Sequence, residues 1–340
     1  MNLLYVYPII PGSMAYEMYK ALKRQINGKI YKLIDEKENY FSSKVSFKER
    51  LLWKLKLPYD KYKINKRLLN YDLSKIDAIF FIKGNEIYPS TLKYIKKKYP
   101  YIKLISWSLD DMYAWHNRSI YYTFGLRFYD LVVTTKSYNV KELKKLGAKK
   151  ILFQYQAYSR DLHKPCNDCD KVKYQHDVIF IGDFENDRFE KMLFLANNGI
   201  KIYIYGPNWH RKIRDSHENL IINPPLIGEN YSKALSCSKI SLCFLKKSNR
   251  DLHTSRSIEI PACKGFMIAE RTNEHKKIFE EDKEAVFFET KEELLEKVRF
   301  YLLNNEKRIA IAHAGYNKVI NSEFSYDDRA KEILKMISKE

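Results

Sequence analysis

Short apolar runs of strand length alternate with helix-favouring stretches twice along this chain, and that double alternation restricts the fold more than any other feature. Leu3 to Ile10, Ala78 to Ile82, Ile102 to Trp107 and Leu131 to Thr134 read as strands, with helices at Ala15 to Gln25, Leu92 to Tyr99 and Asn139 to Leu146. Strands separated by helices imply a parallel sheet, right-handed crossovers and a ligand crevice at the carboxyl ends of the strands. A polar stretch from Lys164 to Lys171 then interrupts the pattern. Strands return at Val178 to Gly182, Lys201 to Tyr205, Ile240 to Leu245, Phe266 to Ala269 and Val286 to Phe288, with helices at Arg188 to Asn197, Ser255 to Cys263 and Lys291 to Asn304. The 340 residues are enough for two domains. The expected division is an N-terminal Rossmann-like domain over 1–163, a linker over 164–175, a C-terminal Rossmann-like domain over 176–324, and a last helix over 325–340 crossing back to the first domain. Two such α/β domains facing across a cleft would bring their crevices to one site, as a transfer between two substrates requires.

Composition narrows the classes. Hydrophobic residues make up 45% and aromatics 14%, so the chain can bury a core and is not intrinsically disordered. The opening MNLLYVYPIIPGSMAYEM has neither a basic start before an apolar run nor a small-residue cleavage site, so no secretory signal is expected there. No apolar run reaches the roughly 18 residues of a membrane span. Five scattered cysteines favour reduced thiols in a cytoplasm over a disulfide framework. Cys166 and Cys169 form a CxxC, but no second cysteine or histidine pair accompanies it at zinc-binding spacing, and no metal is expected.

The formal charge of +19, from 61 Lys+Arg against 42 Asp+Glu, favours anionic partners. A basic nucleic-acid-binding protein is the rival from another class, but no helix-turn-helix, zinc finger or RNA-binding signature accompanies the charge. Residues 46–69, SFKERLLWKLKLPYDKYKINKRLL, interleave Lys and Arg with Leu, Trp and Tyr, and Pro58 breaks any continuous helix. The segment reads either as a solvated helix pair or as a patch for an anionic membrane surface, which would make the protein peripheral at the inner face of the membrane.

Chemistry concentrates in Ile240 to Ala269, ISLCFLKKSNRDLHTSRSIEIPACKGFMIA. An apolar strand leads into a polar, basic loop, and a helix opens near Ser255. A helix start presents unpaired amides and partial positive charge, so a diphosphate can sit there with Thr254, Ser255 and Arg256 as further donors. Glu259, one turn in, has the acceptor-only carboxylate that holds the two hydroxyls of a ribose. Asp251 lies eight residues earlier, at the loop end where a transferred sugar would lie.

The run His253-Thr254-Ser255-Arg256, then Ile258 to Cys263 and Gly265, resembles the signature of glycosyltransferases of the spore maturation protein (CgeB-like) type. The resemblance extends through Asp130 to Lys136, Asp177 to Gly182, Ile204 to Trp209, Phe279-Glu280, Ile311 to Gly315, Tyr326 and Arg329, and is weakest over Met1 to Tyr71. It implies a GT-B fold with a nucleotide-sugar donor in the C-terminal domain, a glycan, lipid-linked or protein acceptor facing the N-terminal one, and no cofactor or metal. It also implies that Asp251 and Glu259 are the paired donor acids, although the first is Asp here and more commonly Glu. Gly182 and Arg188 would lie at the diphosphate, Tyr205 and Gly206 near the nucleotide base, and His253 in the donor signature. A noncatalytic member that binds a glycan or partner protein has the same fold.

On the acceptor side, Ser106-Trp107-Ser108-Leu109-Asp110-Asp111 follows an apolar strand. Asp110 or Asp111 is the candidate base if the reaction inverts configuration; a retaining enzyme needs none, and helix capping is the alternative use of the pair. Gly12 and Ser13, in the loop after the first strand, are acceptor-side candidates by position. Lys83-Gly84-Asn85 follows another strand and reads either as a lining of the same cleft or, the preferred reading, as a plain turn, and His116, His210, His217 and His313 show no ligand spacing.

Overall fold

The computed structural model describes residues 1–7, 11–34, 46–169, 173–213 and 217–338. The chain divides into two compact units, Met1–Tyr155 with Tyr326–Glu340, and Gln156–Ser325.

In the first unit, β1 (Leu3–Val6), α1 (Met14–Gln25), β2 (Ile30–Lys32), α2 (Phe47–Lys54), α3 (Ile64–Asn70), β3 (Ala78–Ile82), α4 (Pro89–Lys98), β4 (Lys103–Ser108), α5 (Ile120–Gly125), β5 (Leu131–Thr134), α6 (Asn139–Lys145) and β6 (Ile151–Phe153) follow in order. Among the described residues the sheet has six parallel strands in the order β2-β1-β3-β4-β5-β6. Chain order reverses between β1 and β3, so the crevice of an open α/β sheet falls beyond their carboxyl ends. Both faces of the central strands are covered, which is why β1 is apolar, β5 is apolar up to Thr134, and both are buried at every position.

The second unit repeats the plan with β7 (Val178–Ile181), α7 (Asn186–Asn197), β8 (Ile202–Tyr205), α8 (Trp209–Lys212), β9 (Leu220–Asn223), α9 (Glu229–Cys237), β10 (Ile240–Cys243), α10 (Ser255–Ala262), β11 (Met267–Glu270), α11 (Asn273–Ile278), β12 (Val286–Phe288), α12 (Lys291–Leu303) and α13 (Asn305–Ile320). Its described strands are also parallel, in the order β12-β11-β10-β7-β8-β9. Here the reversal lies between β7 and β10. The α/β class with two Rossmann-like units, expected from the alternation, is the fold.

The final helix, α14 (Tyr326–Ser338), belongs to the first unit. It packs on α1, with Ala330, Ile333, Leu334 and Ile337 buried on one face. Arg24 forks onto both carboxylate oxygens of Asp327 at 2.6 and 2.9 Å, and Lys150 donates to the Met336 carbonyl at 2.9 Å.

The expected first strand to Ile10 is formed as far as Val6, and residues 8–10 lie outside the described residues. The stretch 164–175, expected as a linker, is held by the second unit where it is described. The Cys166 amide donates to Ser236 Oγ at 2.9 Å and Ser238 Oγ donates to the Tyr174 carbonyl at 3.0 Å. The unit boundary accordingly falls at Tyr155/Gln156. The expectation that all five thiols are free is corrected: Cys169 and Cys237, 68 residues apart, are disulfide-bonded, while Cys166, Cys243 and Cys263 are free. Spacing could not reveal this pair, because one partner sits in a loop and the other ends a helix that only tertiary packing brings alongside.

Replacing Ile333 with Ala should cost about 3 kcal/mol by leaving a cavity under α14, read as a lower urea midpoint. Lys335→Ala, on the exposed face, should stay within about 0.5 kcal/mol of the parent.

Candidate functional site

The crevice of the second unit is built where the loops after β7 and β10 diverge. Arg188, in the first turn of α7, is 2% exposed and spans the divergence. Its guanidinium donates to the Leu245 and Phe244 carbonyls at 3.2 and 3.4 Å and to the Asp183 carbonyl at 3.1 Å. Burial, and then the positive charge of Arg256, pushes its pKa down to about 10, which leaves it charged at neutral pH. Arg188 therefore braces the two loops and supplies fixed positive charge beneath them.

Arg256, in the first turn of α10, is the second cation. Its guanidinium lies over the Phe180 ring, and its Nε is buried with no hydrogen-bond partner. Both glycines assigned to this region have a packing reason. A Cβ on Gly182 would come within 2.9 Å of the Phe180 ring and 3.5 Å of the Arg256 guanidinium carbon. A Cβ on Gly206 would sit 1.9 Å from the Gly182 carbonyl oxygen, which also accepts from Trp209 Nε1 at 2.8 Å. The loops after β7 and β8 thus touch backbone to backbone. Tyr205, at the end of β8, is buried, and its hydroxyl bonds His176 at 2.8 Å.

The start of α10 is braced by two buried histidines. The Thr254 amide donates to Ser257 Oγ at 3.0 Å, and that oxygen lies 2.7 Å from His275 Nε2. His275 Nδ1 faces the Glu270 carbonyl at 2.6 Å, so the ring is the Nδ1–H tautomer and the serine hydroxyl donates to Nε2. His253 is fully buried; its Nε2 accepts from the Gln156 amide at 3.0 Å and its Nδ1 faces Glu274. The first-turn amides at Ser255 and Arg256 have no intrahelical partner by geometry.

Glu259, one turn further, is 7% exposed. Its Oε2 accepts from the Tyr231 hydroxyl at 2.5 Å, and His163 Nε2 lies 3.9 Å from its Oε1. Burial, and then the charge of Glu259, holds the Tyr231 phenol well above its ordinary value, so it stays a donor. Asp251 is half-buried in the loop before α10, accepting from Asn249 Nδ2 at 2.8 Å and from the Lys246 amide at 3.3 Å. The structure gathers Gly182, Arg188, Arg256 and Phe180 at one place, and sets Glu259 one helical turn beyond Arg256. Tyr231 and His163 are participants that sequence reading did not single out, since each comes from a distant element and carries no local signal; Trp209 closes the Ile204 to Trp209 stretch of the resemblance, where it had no assigned role.

In the first unit, a cavity of about 240 Å³ opens at the reversal between β1 and β3, lined among others by Val6, Tyr7, Trp53, Lys83, Gly84 and Glu86. The plain turn at Lys83-Gly84-Asn85 is therefore part of its wall. Asp110 is half-buried and ion-paired with Lys83. Asp111 is fully buried; its Oδ1 accepts from the amides of Tyr113 and Ala114 at 3.1 and 3.2 Å and from Asn139 Nδ2 at 2.8 Å, the work of a loop brace. Ser13 caps α1 by accepting from the Tyr16 amide at 3.1 Å, and Gly12 beside it is exposed. A larger cavity of about 930 Å³, lined by α12 and α13, contains none of the residues expected in a site.

Two Rossmann-like domains, each with a crevice at its strand-order reversal, are the elements of the GT-B architecture. Solved structures agree over nearly the whole chain. HepE from Anabaena in complex with UDP-glucose is 12% identical, with 100% of both chains covered and a TM-score of 0.69. Sucrose-phosphate synthase from Thermosynechococcus elongatus is 10% identical, with 99% of this chain and 98% of that one covered and a TM-score of 0.67. A glycosyltransferase from Rickettsia africae is 14% identical, with 99% and 98% covered and a TM-score of 0.64. At these identities the likeness is one of fold. In sequence, residues 188–335 match a family described as glycosyl transferase-like, and this stretch holds Arg188, Arg256 and Glu259. No curated protein sequence matches the chain. Together the family match and the fold support a glycosyltransferase.

The buried imidazole of His275 gives the site a measurable pH signature. Burial pushes its pKa from 6.5 to about 4, so folding favours the neutral ring. The stability this contributes is complete above pH 6.5 and is lost as pH falls through 4, amounting to about 3 kcal/mol. Between pH 7 and pH 4, wild type should lose about that much more urea stability than His275→Gln.

Proposed function

We propose that the protein transfers a sugar from a nucleoside diphosphate sugar bound in the crevice of the second unit. The observation that carries this reading is the pairing of two guanidiniums, Arg188 and Arg256, at the reversal between β7 and β10, the second with a buried donor lacking any partner. Two like charges held together call for an anion, and the start of α10 adds amide donors facing the same charge type. Glu259, held by Tyr231, accepts the ribose hydroxyls, and Asp251 lies where the sugar is oriented. As the glycosidic bond breaks, negative charge grows on the departing diphosphate; Arg256 and the α10 amides stabilise it in place, a role that dispenses with a divalent cation. HepE, whose fold this chain shares, is known with UDP-glucose, so UDP is the first base to test. The CgeB-like resemblance of 253–265 belongs to the same reading.

The acceptor binds in the first unit's crevice, with Asp110 as the base of an inverting transfer, since it is the acid of the pair not consumed in bracing a loop. A lipid-linked acceptor is favoured by α2. Among the described residues no helix is long and apolar enough to cross a membrane. Helix α2, however, buries none of its residues, and Phe47, Leu51 and Leu55 are 81%, 46% and 55% exposed at helical spacing along one face. Lys48, Arg50 and Lys54 flank that stripe and are exposed. An apolar stripe edged with cations suits the surface of an anionic bilayer, which supports a peripheral position at the cytoplasmic face.

Calorimetry with UDP tests the donor site. Arg256→Ala and Glu259→Ala should each weaken binding by about tenfold to a hundredfold, the range for a hydrogen bond to a charged group; unchanged affinity in both would remove the assignment. Flotation with vesicles tests α2. The full chain should bind phosphatidylglycerol vesicles, less so at high salt, and the triple change Phe47→Ser, Leu51→Ser, Leu55→Ser should cut partitioning about tenfold or more. Equal binding by the triple variant would refute the role of α2.

A further inference from the structure

Three sulfurs meet away from the crevice. Cys169 is bonded to Cys237, the last residue of α9, and the sulfur atoms of Cys166, Cys169 and Cys237 all lie within 4.8 Å of one another. All three residues are half-buried, and Cys166 is a free thiol. The other two free thiols are unlike it: Cys243 and Cys263 are buried, and burial pushes them up to about 11 and about 12, where they stay protonated.

The disulfide is one of several ties that hold residues 162–169 and Tyr174 to α9 and the residue that follows it. Ser232 Oγ donates to the Leu162 carbonyl at 2.6 Å, the Cys166 amide donates to Ser236 Oγ, and Ser238 Oγ donates to the Tyr174 carbonyl. The tied segment carries His163, whose Nδ1 accepts from the Ser159 amide at 3.0 Å, leaving Nε2 toward Glu259. Helix α9 carries Tyr231, which bonds the other oxygen of the same carboxylate. The covalent staple therefore joins the two elements that hold Glu259 from either side.

We propose that Cys166, Cys169 and Cys237 form a thiol–disulfide exchange site that staples this segment to α9 and so sets the order of His163 and Tyr231 around Glu259. The Cys166 thiolate attacks Cys169 Sγ; a Cys166–Cys169 bond forms, the Cys169–Cys237 bond breaks, and Cys237 leaves as the thiolate, with no net change in electrons. A dithiol reductant opens the staple fully, giving two electrons and two protons to the disulfide and becoming a cyclic disulfide. A small-molecule disulfide closes it again through a mixed disulfide, taking up the two electrons and two protons and leaving as two thiols. Opening frees the segment and loosens the ribose carboxylate, so this proposal rests on the donor reading only for its effect on nucleotide affinity.

The test uses the full chain equilibrated with dithiothreitol or with oxidised glutathione. Peptide mapping after alkylation should find the Cys169–Cys237 link in the oxidised sample. On reduction, amides in 159–169 and 229–237 should exchange about tenfold faster or more, and UDP affinity should fall about three- to tenfold. Cys237→Ser should behave as the reduced protein in both buffers, and Cys166→Ser should keep the staple but open more slowly at limiting dithiol. Equal exchange protection in both buffers overturns the proposal, as does purified protein carrying one zinc on three thiolates by native mass spectrometry. If UDP binds in neither buffer, the donor reading fails, while the exchange protection still decides the staple.

Discussion

The second unit is organised around a charge it would be costly to bury alone. An isolated guanidinium withdrawn from water loses several kcal/mol of hydration. Arg188 recovers this from three carbonyls on the two loops that part at the strand-order reversal, and from the face of Phe180. The same contacts that solvate the cation fix the loops, so the shape of the crevice and its sign have one origin. Glu185 reaches it only at 4.0 Å, and the like charge of Arg256 acts on it as well. The crevice is folded around an excess of positive charge, which suits it to the anion of the proposed donor.

Topology alone does not decide what such a crevice takes. The first unit has the same reversal, between β1 and β3, yet lines it with Tyr7, Glu86 and, nearby, the Lys83–Asp110 pair. Burial first, then the charges of Glu86 and Asp110, raises the Tyr7 phenol above its ordinary value. A neutral phenol can bond hydroxyl groups, and carboxylates can accept from them and disfavour phosphate. One fold thus lines its two crevices with different side chains at the carboxyl ends of corresponding strands.

What could be read from the sequence followed how local each signal is. Strands buried on both faces, such as Ala78–Ile82 and Val286–Phe288, are continuous apolar runs and were legible to the residue. The edge strands Ile30–Lys32, Ile151–Phe153 and Leu220–Asn223 are short and mostly half-buried, too short for periodicity to set them apart from loop. The start of α10 was legible because a helix cap and its first turn are contiguous. Tyr231, His163 and Cys237 were not, since crossovers bring them to Glu259 and Cys169 from far along the chain. Gly182 and Gly206 drew notice as ligand glycines, but the space where each would carry a Cβ is taken by Phe180 and Arg256, and by the Gly182 carbonyl.

The start of α10 also shows how two buried histidines can order the proposed phosphate site from behind. The Thr254 amide feeds Ser257, Ser257 feeds His275, and His275 feeds the Glu270 carbonyl, while Glu270 Oε1 accepts from the Leu245 amide at 3.1 Å. Every proton in this series has one direction, so the helix start, the end of β11 and the loop after β10 hold one arrangement. His253 does the same on the other side, between the Gln156 amide and Glu274. Donors fixed in this way need not reorganise as charge develops on a leaving group, which is the condition under which a helix start stabilises a transition state more than it stabilises the ground state.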